Sequence, residues 1–347
     1  MMAPGLFLVL MRPPVGTFSI VAMDPDTREW GVAVASRVLD VGYIVPWVEA
    51  DVGAVATQAL SNPYFGPWAL ALLRKGLPAD TVLRQVLARD TSPEDRQLGI
   101  VDGEGRCANF TGKGTLAWAG DRKGPYVCVQ GNILAGPQVV DTMLFTFQHT
   151  QGPLAERLLR ALEAGEAAGG DRRGKQSAAL VVRRARGGYL GVDDRLVDLR
   201  VVDQPEPVKE LRRLYERWQY AFLAPAYLRL AREDTLRRET FLSRAHDLLV
   251  KALAHPLDAP EVYNALAWEF ALQKAYPGET LKAARRALEL APDDPNIMDT
   301  YAEALYAAGR YREAVQWEQR ALDKEPDNAF FRSQLEKFRK ALQEHGR

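Results

Sequence analysis

Thr17 directly follows Gly16 and opens a strand-like apolar run, "TFSIVAM". A threonine hydroxyl is a weak nucleophile unless a base takes its proton. The usual base is missing. The histidines are His149, His246, His255 and His345, so none lies near Thr17 in sequence and no two form a ligand pair. A Ser-His-Asp triad, a Cys-His pair or a histidine-rich zinc site is therefore poorly supported. A free α-amine on the threonine itself would serve, because its unperturbed pKa of about 7.7–8.0 suits proton transfer near neutral pH. That solution requires Thr17 to be the first residue of the mature chain, and Gly16 offers an unhindered carbonyl for self-cleavage. The plainer reading is that Thr17 simply starts an edge strand. Neither is excluded by the residues alone.

Two further stretches carry polar groups at turns. "QGNILAG" (130–136) places Gln130, Gly131 and Asn132 at a strand end before a helix. It reads either as a turn leading into that helix or as an oxyanion hole, with a backbone N–H and an amide aimed at developing negative charge. "GGDRRGKQSAAL" has phosphate-loop glycines at Gly169 and Gly174, then Lys175. It fails as such a loop at Gln176, where a hydroxyl should bind the metal, and it runs from helix to strand rather than strand to helix. Nucleotide binding is set aside, although the turn can still offer Asp171 or Arg173 to a cleft. No metal or cofactor is expected.

These groups need a scaffold. Residues 17–23 and 30–36 read as strands around the turn "DPDTRE", and "YIVPWVEA" (43–50) and "VGAVATQA" (52–59) as two more. Helical periodicity takes over at "YFGPWALALLRKG" and "PADTVLRQVLARD". Strands return at "RQLGIVDGEGRCANFTG" and "YVCVQGNIL", helices at 137–149 and 153–167, and a strand pair at "SAALVVRRA" and "RLVDLRVVD". Runs of strands alternating with paired helices suggest stacked sheets covered by helices. After "QPEP" (204–207) the chain becomes helical throughout. There, Gly309, Tyr311, Ala314, Ala321 and Pro326 have tetratricopeptide spacing, and Pro292 and Pro326 lie one 34-residue repeat apart. "APEVYNALAWEF…AARRALELAPDD" is an earlier copy, "LSRAHDLLVKALAHPLD" a half-copy, and helix 329–343 a cap.

Composition narrows the class. The 347 residues suffice for two or three domains, and 45 Lys plus Arg balance 45 Asp plus Glu. That balance gives no support for a nucleic-acid or anionic-membrane partner. No apolar run approaches the ~20 residues of a membrane helix, and "GLFLVLM" (5–11) lacks the flanks of a signal peptide. Cys107 and Cys128 are read as reduced thiols of a cytoplasmic protein.

The blocks "TFSIVAMDP…GVAVASR", "VPWVEADVGAVATQA", "NPYFGP", "RQLGIVD", "WAG", "QGNILAGPQVVD" and "AGEAAGGDRRGKQSAAL" together resemble a bacterial family called domain of unknown function 1028. The resemblance spans residues 17–215. It implies an α+β fold of the N-terminal-nucleophile (Ntn) hydrolase superfamily, a four-layer αββα sandwich, followed here by an all-α tetratricopeptide domain. The boundaries expected are an extension over 1–16, the sandwich over 17–203, a helical linker over 204–240 and the repeats over 241–347. The resemblance also implies amide hydrolysis by an N-terminal threonine, which by position is Thr17. Ser19, on the same face of the strand, is the reserve nucleophile or a substrate contact. Ser36 and Arg37 end the second strand, near where proteasome-like members use a basic residue. Arg37 can supply charge there but cannot shuttle protons. Thr57, Gln58 and Asn62 read as substrate-orienting groups or as ordinary turn and cap residues. The expected partner is a small amide or short peptide. A protein bound by the repeats, a catalytically silent sandwich and a homo-oligomer remain open.

Overall fold

The computed structural model describes residues 16–255 and 257–345. The expected extension therefore lies outside the described residues, except for Gly16. The chain divides into two compact units between Tyr215 and Glu216.

The first unit is rich in sheet. Strands β1 (Thr17–Asp24) and β2 (Glu29–Ser36) form the hairpin expected around the polar turn, with Thr17 opposite Ser36. A short helix α1 (Val41–Ile44), strands β3 (Pro46–Glu49) and β4 (Gly53–Ala59), and helices α2 (Phe65–Leu73) and α3 (Ala79–Leu87) follow. Next come β5 (Arg96–Asp102), β6 (Cys107–Thr111), β7 (Gly120–Gly124), β8 (Val127–Asn132), α4 (Gln138–His149), α5 (Leu154–Ala167), β9 (Ser177–Arg183) and β10 (Arg195–Val201). One sheet has the order β10-β9-β2-β1-β8-β7 and the other β3-β4-β5-β6. The two sheets face each other; α4 and α5 lie against the first, α2 and α3 against the second. Every residue of β1 is buried, because one of its faces meets helix α5 and the other meets the second sheet. A strand buried on both faces reads as a continuous apolar run rather than as an alternation.

Two elements differ from the sequence reading. "YIVPWVEA" is not one strand: residues 41–44 turn as a helix, and pairing resumes only at Pro46. Ser177 on β9 holds this turn, since its Oγ accepts from the Val41 N–H at 3.0 Å and donates to the Val38 carbonyl at 2.6 Å. Strand β7, "GDRKG", carries no apolar pattern and is defined by its pairing with β8. The cysteines are free thiols from facing sheets, with Cys128 buried and Cys107 half-buried. Burial pushes the Cys128 thiol well up, whereas a hydrogen bond with Cys128 lowers that of Cys107.

Helix α6 (Pro207–Trp218) crosses the boundary, and the second unit is wholly helical thereafter: α7 (Ala224–Glu233), α8 (Arg238–Ala254), α9 (Pro260–Leu272), α10 (Pro277–Leu290), α11 (Pro295–Ala307), α12 (Tyr311–Lys324) and α13 (Ala329–His345). Helices α9 and α10 pack as one pair and α11 and α12 as the next. Gly309 ends α11 in the left-handed region at φ 76°, where its missing Cβ removes the steric penalty. Ala314 on α12 is fully buried (0% exposed). Replacing it with tryptophan is expected to overpack that contact at a cost of ~1–3 kcal/mol or more. Calorimetry should show the helical unit melting lower and the sheet-rich unit unchanged. A single shared transition, lowered as a whole, would contradict the division into two units.

Candidate active site

Thr17 begins β1 between the ends of β2 and β8, opposite Ser36 on one side and Asn132 on the other. Its hydroxyl donates to Ser36 Oγ at 3.1 Å. Ser36 Oγ in turn donates to the carbonyl oxygen of Gly16. The same oxygen accepts from Arg173 Nη2 at 2.8 Å. Two hydroxyls in series and a doubly hydrogen-bonded carbonyl thus meet at the Gly16–Thr17 peptide bond. Thr17 and Ser36 are both buried.

Asp171 fixes the guanidinium. Its carboxylate takes Arg173 Nε at 3.1 Å and Nη2 at 2.7 Å, and also the backbone N–H groups of Arg173 (2.9 Å) and Arg37 (3.1 Å). The forked, charged geometry is stronger and more directional than a neutral bond. Arg37, expected as the charge beside the nucleophile, bonds through its own guanidinium to the Arg173 carbonyl. The guanidinium in contact with the Gly16–Thr17 junction is therefore that of Arg173. Beside these groups lies a cleft of about 130 Å³, bordered by Phe18, Ser36, Glu166, Asp171 and Lys175 among others. Burial raises the Glu166 carboxyl despite its 3.1 Å ion pair with Lys175.

Beneath Thr17 the two sheets enclose a layer of amides. Ser19 donates to Gln58 Oε1 at 2.6 Å and accepts from Gln130 Nε2 at 2.6 Å. Gln58 Nε2 reaches the Thr17 carbonyl at 3.3 Å and Gln97 Oε1 at 2.8 Å. Asn132 Nδ2 donates to Gln97 Oε1 at 2.9 Å, and Gln97 Nε2 donates to the Gly131 carbonyl at 2.8 Å. Ser19, Gln58, Gln97 and Gln130 are each 0% exposed. The structure thus gathers Ser19, Gln58, Gln130, Gly131 and Asn132, but in paired strands under Thr17. Gln130–Asn132 are the last residues of β8 rather than a turn, and α4 starts only at Gln138. Thr57 is buried on β4, with no hydrogen-bond partner for its hydroxyl among the described residues. Asn62 bonds to none of this group. Its amide donates to Asp90 at 2.6 Å, and its side-chain oxygen accepts from the Tyr64 N–H at 3.0 Å.

Gln97, whose Oε1 accepts from both Gln58 and Asn132, escaped the sequence reading. The one available signal was a lone glutamine inside the apolar run of "RQLGIVD".

Residues 17–211 match a family model described as a family of unknown function, DUF1028. The chain belongs to this family. A crystal structure of a DUF1028 protein from Silicibacter pomeroyi is 30% identical and superposes with a TM-score of 0.55, covering 60% of this chain and 92% of that one. An NMR structure of the first tetratricopeptide domain of human RPAP3 is 18% identical with a TM-score of 0.28, covering 35% of this chain and 97% of that one. Among curated proteins the comparison finds no match. The DUF1028 match begins at Thr17 and takes in Ser36, Asp171 and Arg173 as well as the amide layer. No described helix is long and apolar enough to cross a membrane.

Proposed function

We propose that the sheet-rich unit is an amide hydrolase whose nucleophile is Thr17, acting once Thr17 has become the first residue of the chain. The observation that carries this reading is the Gly16 carbonyl, set beside the Thr17 hydroxyl with its oxygen held by Ser36 and Arg173. Donors fixed on a carbonyl oxygen beside a nucleophile are what acyl transfer requires. The layer order, with helices outside two facing sheets, agrees with the αββα sandwich of Ntn hydrolases. With Gly16 attached, Thr17 has an amide in place of an amine and is fully buried, so hydrolysis of another molecule needs residues 1–16 removed.

In the catalytic cycle, Thr17 Oγ attacks the substrate carbonyl while its proton passes to the Thr17 α-amine. The oxyanion is held by Ser36 and Arg173, the donors that hold the Gly16 oxygen. The C–N bond breaks and the leaving nitrogen takes the proton. Water then attacks the ester, loses a proton to the amine, and releases the acid as Thr17 Oγ regains its hydrogen. We assign the expected substrate, a small amide or short peptide, to this site, and a protein partner to the helical repeats. The two free thiols fit a cytoplasmic protein.

Intact-mass measurement on protein purified from its native host is expected to give a chain that starts at Thr17. A homogeneous chain that keeps residues 1–16 would argue for the alternative, a silent sandwich that carries a scaffold of helical repeats.

A further inference from the structure

We propose that Arg173 restricts the acyl side of this site to unbranched acyl groups, such as glycyl, and rejects those with a substituent on the carbon next to the carbonyl. The inference rests on the reading of Thr17 as nucleophile and names the substrate class of that site.

Gly16 is the one acyl group whose place beside the Thr17 hydroxyl is visible. Self-cleavage at Gly16 passes through an ester in which Thr17 Oγ carries the Gly16 acyl group, the same kind of species as the acyl-enzyme of the catalytic cycle, so we take Gly16 Cα to mark where the carbon next to the carbonyl lies when the oxygen is held by Ser36 and Arg173. A Cβ added there would stand 2.8 Å from Arg173 Nη2, 2.9 Å from Nε and 3.0 Å from Cζ. Carbon does not approach nitrogen that closely without displacing it. The end of an arginine is ordinarily free to move, but this one is tied down. Both of its carboxylate contacts run to Asp171, whose side chain is buried and also holds two backbone N–H groups.

Displacement would also cost chemistry. The nitrogen crowding the added carbon, Nη2, is the one that donates to the carbonyl oxygen at 2.8 Å. To admit a methyl group, the guanidinium must leave the position from which it stabilises the oxyanion. A branched acyl group therefore meets two penalties, a steric one on binding and the loss of a donor in the transition state. Losses of the second kind appear in kcat.

The test uses the chain that begins at Thr17, with a panel of p-nitroanilides carrying acetyl, glycyl, L-alanyl and L-valyl groups. In the parent, kcat/KM for the glycyl amide should exceed that for the L-alanyl amide by roughly tenfold or more, with L-valyl lower again. Arg173→Ala should lower the glycyl rate by roughly 10²-fold, as for loss of one oxyanion donor, and shrink the glycyl-to-alanyl ratio severalfold. Arg173→Lys keeps a charge without the fork, and should keep more of the glycyl rate than Arg173→Ala while relaxing the ratio. L-alanyl cleavage within threefold of glycyl in the parent, or a ratio unchanged by both substitutions, overturns the preference and leaves Thr17 as nucleophile. A panel in which nothing is hydrolysed overturns the Thr17 reading and the preference with it.

Discussion

Replacing Thr17 by alanine is expected to abolish hydrolysis of any amide the parent cleaves, by at least ~10³-fold in kcat/KM, and to leave the fold intact. The hydroxyl is the attacking group, and its removal costs one buried bond to Ser36. Thr17→Ser should keep part of the activity, since hydroxyl and α-amine both survive. Ser36→Ala should lower kcat/KM by roughly 10²-fold, because it removes one of the two donors on the carbonyl oxygen. Charge is tested separately. A cation near the α-amine disfavours its protonated form and lowers its pKa, so losing the cation raises that pKa. Arg173→Met should therefore move the acid limb of the kcat/KM profile to higher pH, and Arg37→Met should move it less, because Arg37 points its guanidinium at the Arg173 carbonyl. An active Thr17→Ala enzyme would discard the mechanism. A larger displacement of the profile for Arg37→Met would return the electrostatic role to that residue.

The contrast between these arginines marks where the sequence stops being informative. Arg37 stands next to Ser36 in the chain, so adjacency makes it the natural candidate. Arg173 lies 157 residues from Gly16 and reaches its carbonyl only because Asp171 bends the loop before β9 back onto the end of β2. No local pattern encodes that approach. The amide layer is similar. Gln58, Gln97 and Gln130 sit singly in strands whose apolar neighbours set the period, and only the stacking of two sheets places them together. Elements with a strong local signal were legible: the first hairpin, the two helices of 137–167, and the helical pair closed by Gly309. Strand β7 was not, because two glycines and three charged residues at a sheet edge carry no apolar alternation.

In the helical unit, Glu318→Gln is expected to raise the melting temperature at pH 9 and to flatten its dependence on pH. Glu318 on α12 is fully buried and faces Asp299 on α11. Burial, with the Asp299 charge second, pushes the Glu318 carboxyl up from 4.5 to about 9. Burial also lifts Asp299 from 3.8 to about 6. The neighbouring cation, Lys337 on α13, is already bonded to Glu303, which also takes the Gln334 amide at 2.9 Å. Two facing carboxylates have no proton to share, whereas a carboxyl beside a carboxylate has one. The folded unit therefore holds protons that the unfolded chain would release. A raised acid contributes stability that is complete below its unfolded pKa and is lost as pH rises through the folded value. The loss here runs from about pH 4 to about pH 9, at about 1.4 kcal/mol for every tenfold difference in proton affinity between folded and unfolded chain. For a unit of this size each kcal/mol is worth roughly 4 °C. The parent's helical transition should thus fall by on the order of 10 °C between pH 5 and pH 9. A glutamine keeps the shape and donates an N–H to Asp299 with no proton to lose. The variant should match the parent near pH 5 and exceed it at pH 9, read by calorimetry across that range. Parallel curves for parent and variant would mean that Glu318 ionises in the fold without cost, and would overturn this account of the pair.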